Sequence, residues 1–137
     1  MQINPYLIFN GDCEAAFKFY EQCLRGKIEA MMRFGETPAG DHVPKDCHDK
    51  IIHTRLEVGD QVLMGSDTTP AHPYKGISGC SVSLNVDSIA EAERVFAALA
   101  DKGSVQMPLE KTFWAARFGM LTDRFGVPWM VNCEKDQ

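Results

Sequence analysis

The residues with the most reactive side chains cluster in the middle of the chain. The segment "IIHTRLEVGDQVLMGSD" (51–67) carries His53, Arg55, Glu57 and Asp67. At a spacing of two, His53, Arg55 and Glu57 share one side of an extended strand, because successive strand side chains point to opposite faces. An imidazole beside a guanidinium can serve as a base, hydrogen-bond a substrate or supply a lone metal ligand. The alternative is a structural histidine whose ring nitrogens are satisfied by neighbours. Arg55 needs a counter-charge if it lies against an apolar wall, since an isolated buried charge is strongly unfavourable. Glu57, Asp67, Glu36 or an anionic ligand can supply one.

Other reactive groups are scattered. The loop "DHVPKDCHD" (41–49) crowds Asp41, His42, Asp46, Cys47, His48 and Asp49. Its spacing matches no zinc signature, and it reads as a solvated loop carrying charge. Cys13 falls in the first turn of a helix, where the dipole favours a thiolate. A small buried thiol is the simpler reading. The five cysteines are odd in number and include no CxxC pair. That usage fits reduced thiols and a cytoplasmic location.

The chain of 137 residues is long enough for one domain with a core of its own. A net charge of −5 lacks the basic stripe of a nucleic-acid footprint. No segment approaches the ~18 apolar residues of a membrane span. The opening "MQINPYLIFNGD" has no positive n-region and is not read as a signal peptide.

The elements that must position these groups come in two similar series. Residues 3–9 read as a strand ending at Asn10-Gly11, and Asp12 is placed to cap a helix. Ala15, Ala16, Phe19, Tyr20, Cys23 and Leu24 recur at helical spacing, with Gly26 closing the helix. Residues 27–35 read as a strand, 35–49 as a polar loop, and 51–67 as two strands joined at Gly59-Asp60. "DTTPAHPYKG" (67–76) reads as a linker. The plan then restarts with a strand over 80–87, and Ser88 with Glu91 forms a capping box. Ile89, Ala92, Phe96 and Leu99 form a helical stripe ending at Gly103, and three strands follow over 104–111, 113–122 and 127–134.

Each half reads strand, helix, three strands. Leu7, Asp12, Tyr20 and Gly26 reappear as Leu84, Asp87, Phe96 and Gly103, at offsets that stay near a single value. Internal repetition at this scale points to duplication. The modules predicted are 1–67 and 78–137, with 68–77 as linker, inside a single domain.

The segments "PYLIFNGDCEAAFKFY", "HTRLEVGDQVLMGSD" and "TFWAARFGMLTDRFGVPWMVN" resemble the vicinal oxygen chelate superfamily of glyoxalases, bleomycin-resistance proteins and dioxygenases, in its PhnB-like subfamily. The resemblance implies an α+β fold. Two βαβββ modules form a curled mixed sheet around a cavity, with helices on the convex face. It also implies a homodimer with a small-molecule ligand. Members of this kind often carry a methyltransferase name, but no glycine-rich turn follows a strand here, and no room remains for a doubly wound cofactor domain.

Metal-dependent members hold a divalent ion with His, Gln or Glu. The corresponding positions here fall near Pro5 or Tyr6, near Met64, at Ser81 and at Met130. Met, Ser and Pro are poor ligands for Zn, Ni, Fe or Mn. The expectation is a protein with neither metal nor other cofactor, binding a small organic molecule, an anionic one among the candidates. A metal-dependent lyase, isomerase or dioxygenase-like enzyme working through His53 is the alternative. If Met130 occupies a ligand position, Met130 and Asn132 face the cavity and Trp129 faces the helices. The predicted ligand-binding set is His53, Arg55, Asp67, Ser81, Trp114, Arg117, Met130 and Asn132, with His53 the catalytic candidate.

Overall fold

A computed structural model describes all residues 1–137. The chain forms two compact units, Met1–Gly76 and Ile77–Gln137, here called modules 1 and 2.

Module 1 runs β1 (Tyr6–Phe9), α1 (Cys13–Leu24), β2 (Lys27–Arg33), β3 (Ile51–Val58) and β4 (Gln61–Asp67). The strand order is β1-β4-β3-β2, with β1 parallel to β4 and the other pairs antiparallel. One face of the sheet takes α1: Leu7, Phe9, Leu56 and Leu63 are buried there with Phe17 and Tyr20. A Cβ on Gly65 would stand 2.6 Å from the Phe17 ring, so a glycine lets the helix approach the sheet. Module 2 repeats the plan as β5 (Val82–Asn85), α2 (Ile89–Ala100), β6 (Ser104–Glu110), β7 (Arg117–Thr122) and β8 (Pro128–Cys133). Its order is β5-β8-β7-β6, with β5 parallel to β8. Leu121, Trp129 and Val131 form the buried side of this sheet, and Val95, Phe96 and Leu99 form that of α2. No helix is long and apolar enough to cross a membrane.

A left-handed residue followed by a glycine comes directly after α1 and one residue past the Asp101 cap of α2. Arg25 and Lys102 take left-handed backbone angles, with φ of 54° and 60°. The glycine after each has another purpose. A Cβ on Gly26 would meet the Glu57 carbonyl at 2.4 Å, and one on Gly103 would meet the Thr122 carbonyl at 2.4 Å. Gly26 therefore admits a neighbouring strand; the positive φ that ends the helix belongs to Arg25.

Two local expectations need correction. Asp12 stands at the start of α1 but makes no side-chain cap. Asp67 of β4 does that work through space: its Oδ1 accepts from the backbone N–H groups of Gly11 and Cys13. The strand expected over 113–122 begins only at Arg117. The Thr112 hydroxyl accepts from the N–H groups of Trp114 and Ala115 and holds this stretch in a turn. The capping box is present, with Ser88 Oγ accepting from Glu91 N at 3.1 Å.

Candidate functional site

Each sheet has a face turned away from its own helix. In module 1 that face carries Tyr6 and Ile8 from β1, Met64 and Ser66 from β4, and His53, Arg55 and Glu57 from β3. The half-buried state of His53, Arg55 and Glu57, beside buried Thr54 and Leu56, is the strand alternation expected from sequence.

His53 is held by Tyr6. The phenol oxygen and Nδ1 share a 3.0 Å hydrogen bond whose direction follows the imidazole tautomer. The two rings stack with centroids 5.8 Å apart and planes 25° from parallel. Met32 of β2 stands opposite His53 in the register. The Tyr6–His53 pair can pass a proton or present a donor and an acceptor to a bound molecule.

Arg55 is already paired. Its Nε donates to Glu29 Oε2, from a position beside the irregularity in β2 between Ile28 and Ala30. Glu29 and Glu57 titrate as one system. The Glu57 carboxyl is pushed up by its hydrogen bond to Glu29, by desolvation and by the charge of Glu29. The Glu29 carboxyl is held down by accepting from Glu57 and from Arg55. Of the two, Glu57 is the one that keeps its proton to higher pH.

Asp67 is buried and its carboxylate is saturated. Besides the two amides at the start of α1, Oδ2 accepts from Ile51 N at 2.9 Å. One carboxylate thus fixes the start of α1 and the start of β3. Burial, then the charge of Asp67, pushes the Cys13 thiol far above its ordinary range. That leaves an unreactive sulfhydryl at the helix start.

Beside this face lies a groove of about 660 Å³, within module 1 alone. Ile8 and Ser66 belong to both the groove and the open face. The remaining walls come from the loop after β2 (Phe34, Ala39, His42, Val43), from Asp67 at the end of β4 and from the segment after it (Thr68, Thr69 and 71–76). The loop is ordered by its own bonds: His48 Nε2 pairs with the Gly40 carbonyl at 2.9 Å, and Gly35 N donates to the His48 carbonyl. The volume lies in the range that small organic ligands occupy. His42, His72, Tyr74 and Lys75 were missed in the sequence because loops carry no periodicity to show which way they face.

In module 2 the open face carries Ser83, Asn85, Phe118, Met120, Met130 and Asn132. Met130 and Asn132 lie there as the alternation required, and Trp129 lies on the buried side, its Nε1 donating to Asp123 Oδ2. Trp114 is exposed and packs edge-on to Phe118 at 5.4 Å. Arg117 falls on the other side of β7, opposite Cys133 in the register, and donates to the Ala116 carbonyl. Ser81 precedes β5; it is Ser83 that stands opposite Met130. Asn132 Nδ2 donates to Asn85 Oδ1, while its own Oδ1 is buried with no partner.

The register also tests the divalent metal implied by the family resemblance. Tyr6 stands beside Met64 in module 1, and Ser83 beside Met130 in module 2. A phenol, a hydroxyl and two thioethers do not fit Zn, Ni, Fe or Mn. No group of three or more His, Cys, Asp or Glu side chains is placed to hold a metal ion.

A sequence model of the glyoxalase/bleomycin resistance protein/dioxygenase superfamily matches residues 2–131. Protein YjdN of Escherichia coli is 33% identical over 145 residues, covering 100% of this chain and 98% of its own length. The crystal structure of protein PA1353 from Pseudomonas aeruginosa is similar at 65% identity and a TM-score of 0.92, covering 99% of each chain. A PhnB protein from Bacillus cereus is similar at 25% identity and a TM-score of 0.80, covering 97% of this chain and 99% of its own.

Proposed function

The chain belongs to the glyoxalase/bleomycin resistance protein/dioxygenase superfamily, and from that premise we propose that it binds a small organic molecule in module 1 without a divalent metal. One observation carries this reading: the 660 Å³ groove runs onto the face that holds the Tyr6–His53 pair, through Ile8 and Ser66. The groove gives apolar burial and the pair gives direction. That combination is how small-molecule sites join affinity to orientation. Asp67 supports the site from behind by holding α1 and β3 in place.

The test is a ligand-observed NMR screen of a neutral and acidic small-molecule library, repeated with Val43→Trp. The bulky side chain fills the groove, so hits on the parent protein should vanish from the variant while its circular dichroism is unchanged. Hits that persist undiminished would place the ligand elsewhere.

A second reading is favoured by the 3.0 Å Tyr6–His53 bond, which suits proton transfer in a lyase or isomerase. It requires a metal held in a non-standard way at His53. Metal analysis of the purified protein separates the two. The first reading expects no stoichiometric divalent ion; one per chain, lost in His53→Ala, would establish the second.

We also infer that the chain forms a homodimer in the cytoplasm. Phe113 is 97% exposed, and Trp114, Val105 and Met107 are largely exposed along and just after the edge strand β6. An apolar edge of this kind invites a second copy. The five free cysteines suit a reducing compartment. Light scattering at micromolar concentration should report twice the chain mass.

A further inference from the structure

Two cations of module 1, Arg55 on the open face of the sheet and Lys75 in the groove, differ in what they already hold. Arg55 is committed to Glu29, with Glu57 in the same network. Lys75 lines the groove and forms no ion pair or hydrogen bond. His42 and His72 also line it, and neither imidazole is engaged. The sole carboxylate in the lining is Asp67, which already accepts three backbone N–H groups. The groove thus combines an unpaired ammonium, two imidazoles and apolar walls from Ile8, Phe34, Val43 and Tyr74. Such a lining complements a molecule with one anionic end and a flat or branched apolar body.

Resting on the reading that module 1 is the ligand-binding half, we propose that the ligand is an apolar organic acid, and that Lys75 reads its carboxylate. His42 and His72 line the same groove and offer ring N–H donors to the ligand. Arg55 takes no part, because an acid reaching it would have to displace Glu29.

The test compares naphthoate with its neutral amide, naphthamide, by calorimetric titration of the full chain. Naphthoate should bind one molecule per chain, at least tenfold tighter than naphthamide. Lys75→Met should erase that preference, and Arg55→Met should preserve it. Lys75 is exposed, so its loss should leave the thermal transition unchanged. If naphthamide binds as well as naphthoate, or Lys75→Met keeps the preference, the acid reading falls while the groove stands as a site. If neither compound binds, or Val43→Trp binds both undiminished, the site itself falls with it.

Discussion

The same row of each sheet shows how the two modules differ. Across module 1 the register places Ala30, Arg55, Met64 and Tyr6 side by side. Across module 2 it places Met107, Met120, Met130 and Ser83. The first row is charged and hydrogen-bonded, with Arg55 on Glu29 and Tyr6 on His53. The second holds three thioethers in register. Thioethers are flexible and polarizable, and they adapt to many shapes. The helix-covered faces are alike in being apolar and closely packed, and Gly26 and Gly103 each admit a neighbouring strand carbonyl. No helix of the same module packs on the open faces, so helix packing does not constrain which side chains they carry.

The largest expected effect breaks the comparison at its anchors. Asp67 ties α1 and β3 together, whereas Asp123 ties a turn and Trp129, accepting from Phe125 N, Val127 N and Trp129 Nε1. Asp67→Ala leaves the buried amides of Cys13 and Ile51 and the part-buried amide of Gly11 without an acceptor and should cost roughly 3–5 kcal/mol. That corresponds to a fall in Tm on the order of 10 °C or more. Hydrogen exchange should then rise first at Cys13 and Ile51. In Asp123→Ala it should rise first at Phe125 and Val127. Equal exposure of both segments by either change would show that the anchors are not local.

A smaller effect concerns Glu14. Hydrogen bonds from Arg33 and then Lys18 lower its carboxyl to about 2. A lowered carboxyl pKa adds stability above the unfolded value near 4.5, and that stability is lost as the pH falls toward about 2. Both partners are partly exposed, so screening holds the contribution at neutral pH below about 1 kcal/mol. Arg33→Gln should return the Glu14 titration toward its ordinary range, measured by carboxyl NMR, and flatten the acid limb of stability.

The smallest effect is one of sign. Glu29 is lowered and Glu57 is raised. The native state therefore holds a proton at Glu57 that the unfolded chain releases, and this contribution fades as the pH rises through the raised value. The Glu29 contribution runs the opposite way and fades on acidification. Arg55→Met should move Glu29 up in the same carboxyl titration. An unchanged Glu29 would show that Glu57 alone sets it.

Much of the fold was legible in the sequence, because buried residues recur at strand and helix periods. The alternation through His53 and Arg55, the Gly59 hairpin and the Ser88 cap all follow from local rules. What escaped depends on contacts distant in the sequence, on strand register, or on a local side-chain turn that alternation does not reveal. Asp67, not Asp12, caps α1 from across the module. Thr112 turns the chain before β7 and takes Trp114 out of the strand. Strand register makes Ser83, not Ser81, the neighbour of Met130. Glu29 reaches Arg55 beside an irregularity that no alternation rule contains. His42, His72 and Lys75 sit on loops, where composition suggested only solvent and linker.

The central claim is that module 1 is the ligand-binding half, and the methyl groups of the chain report on it directly. Carbon-13 methyl spectra of Ile- and Met-labelled protein should be recorded during titration with naphthoate. Ile8, which lines the groove, should shift, and Met32 and Met64 on the adjoining face should respond. Met107, Met120 and Met130 should stay in place. Saturable shifts confined to those three methionines, with Ile8 unmoved, would contradict the account and move the site to module 2.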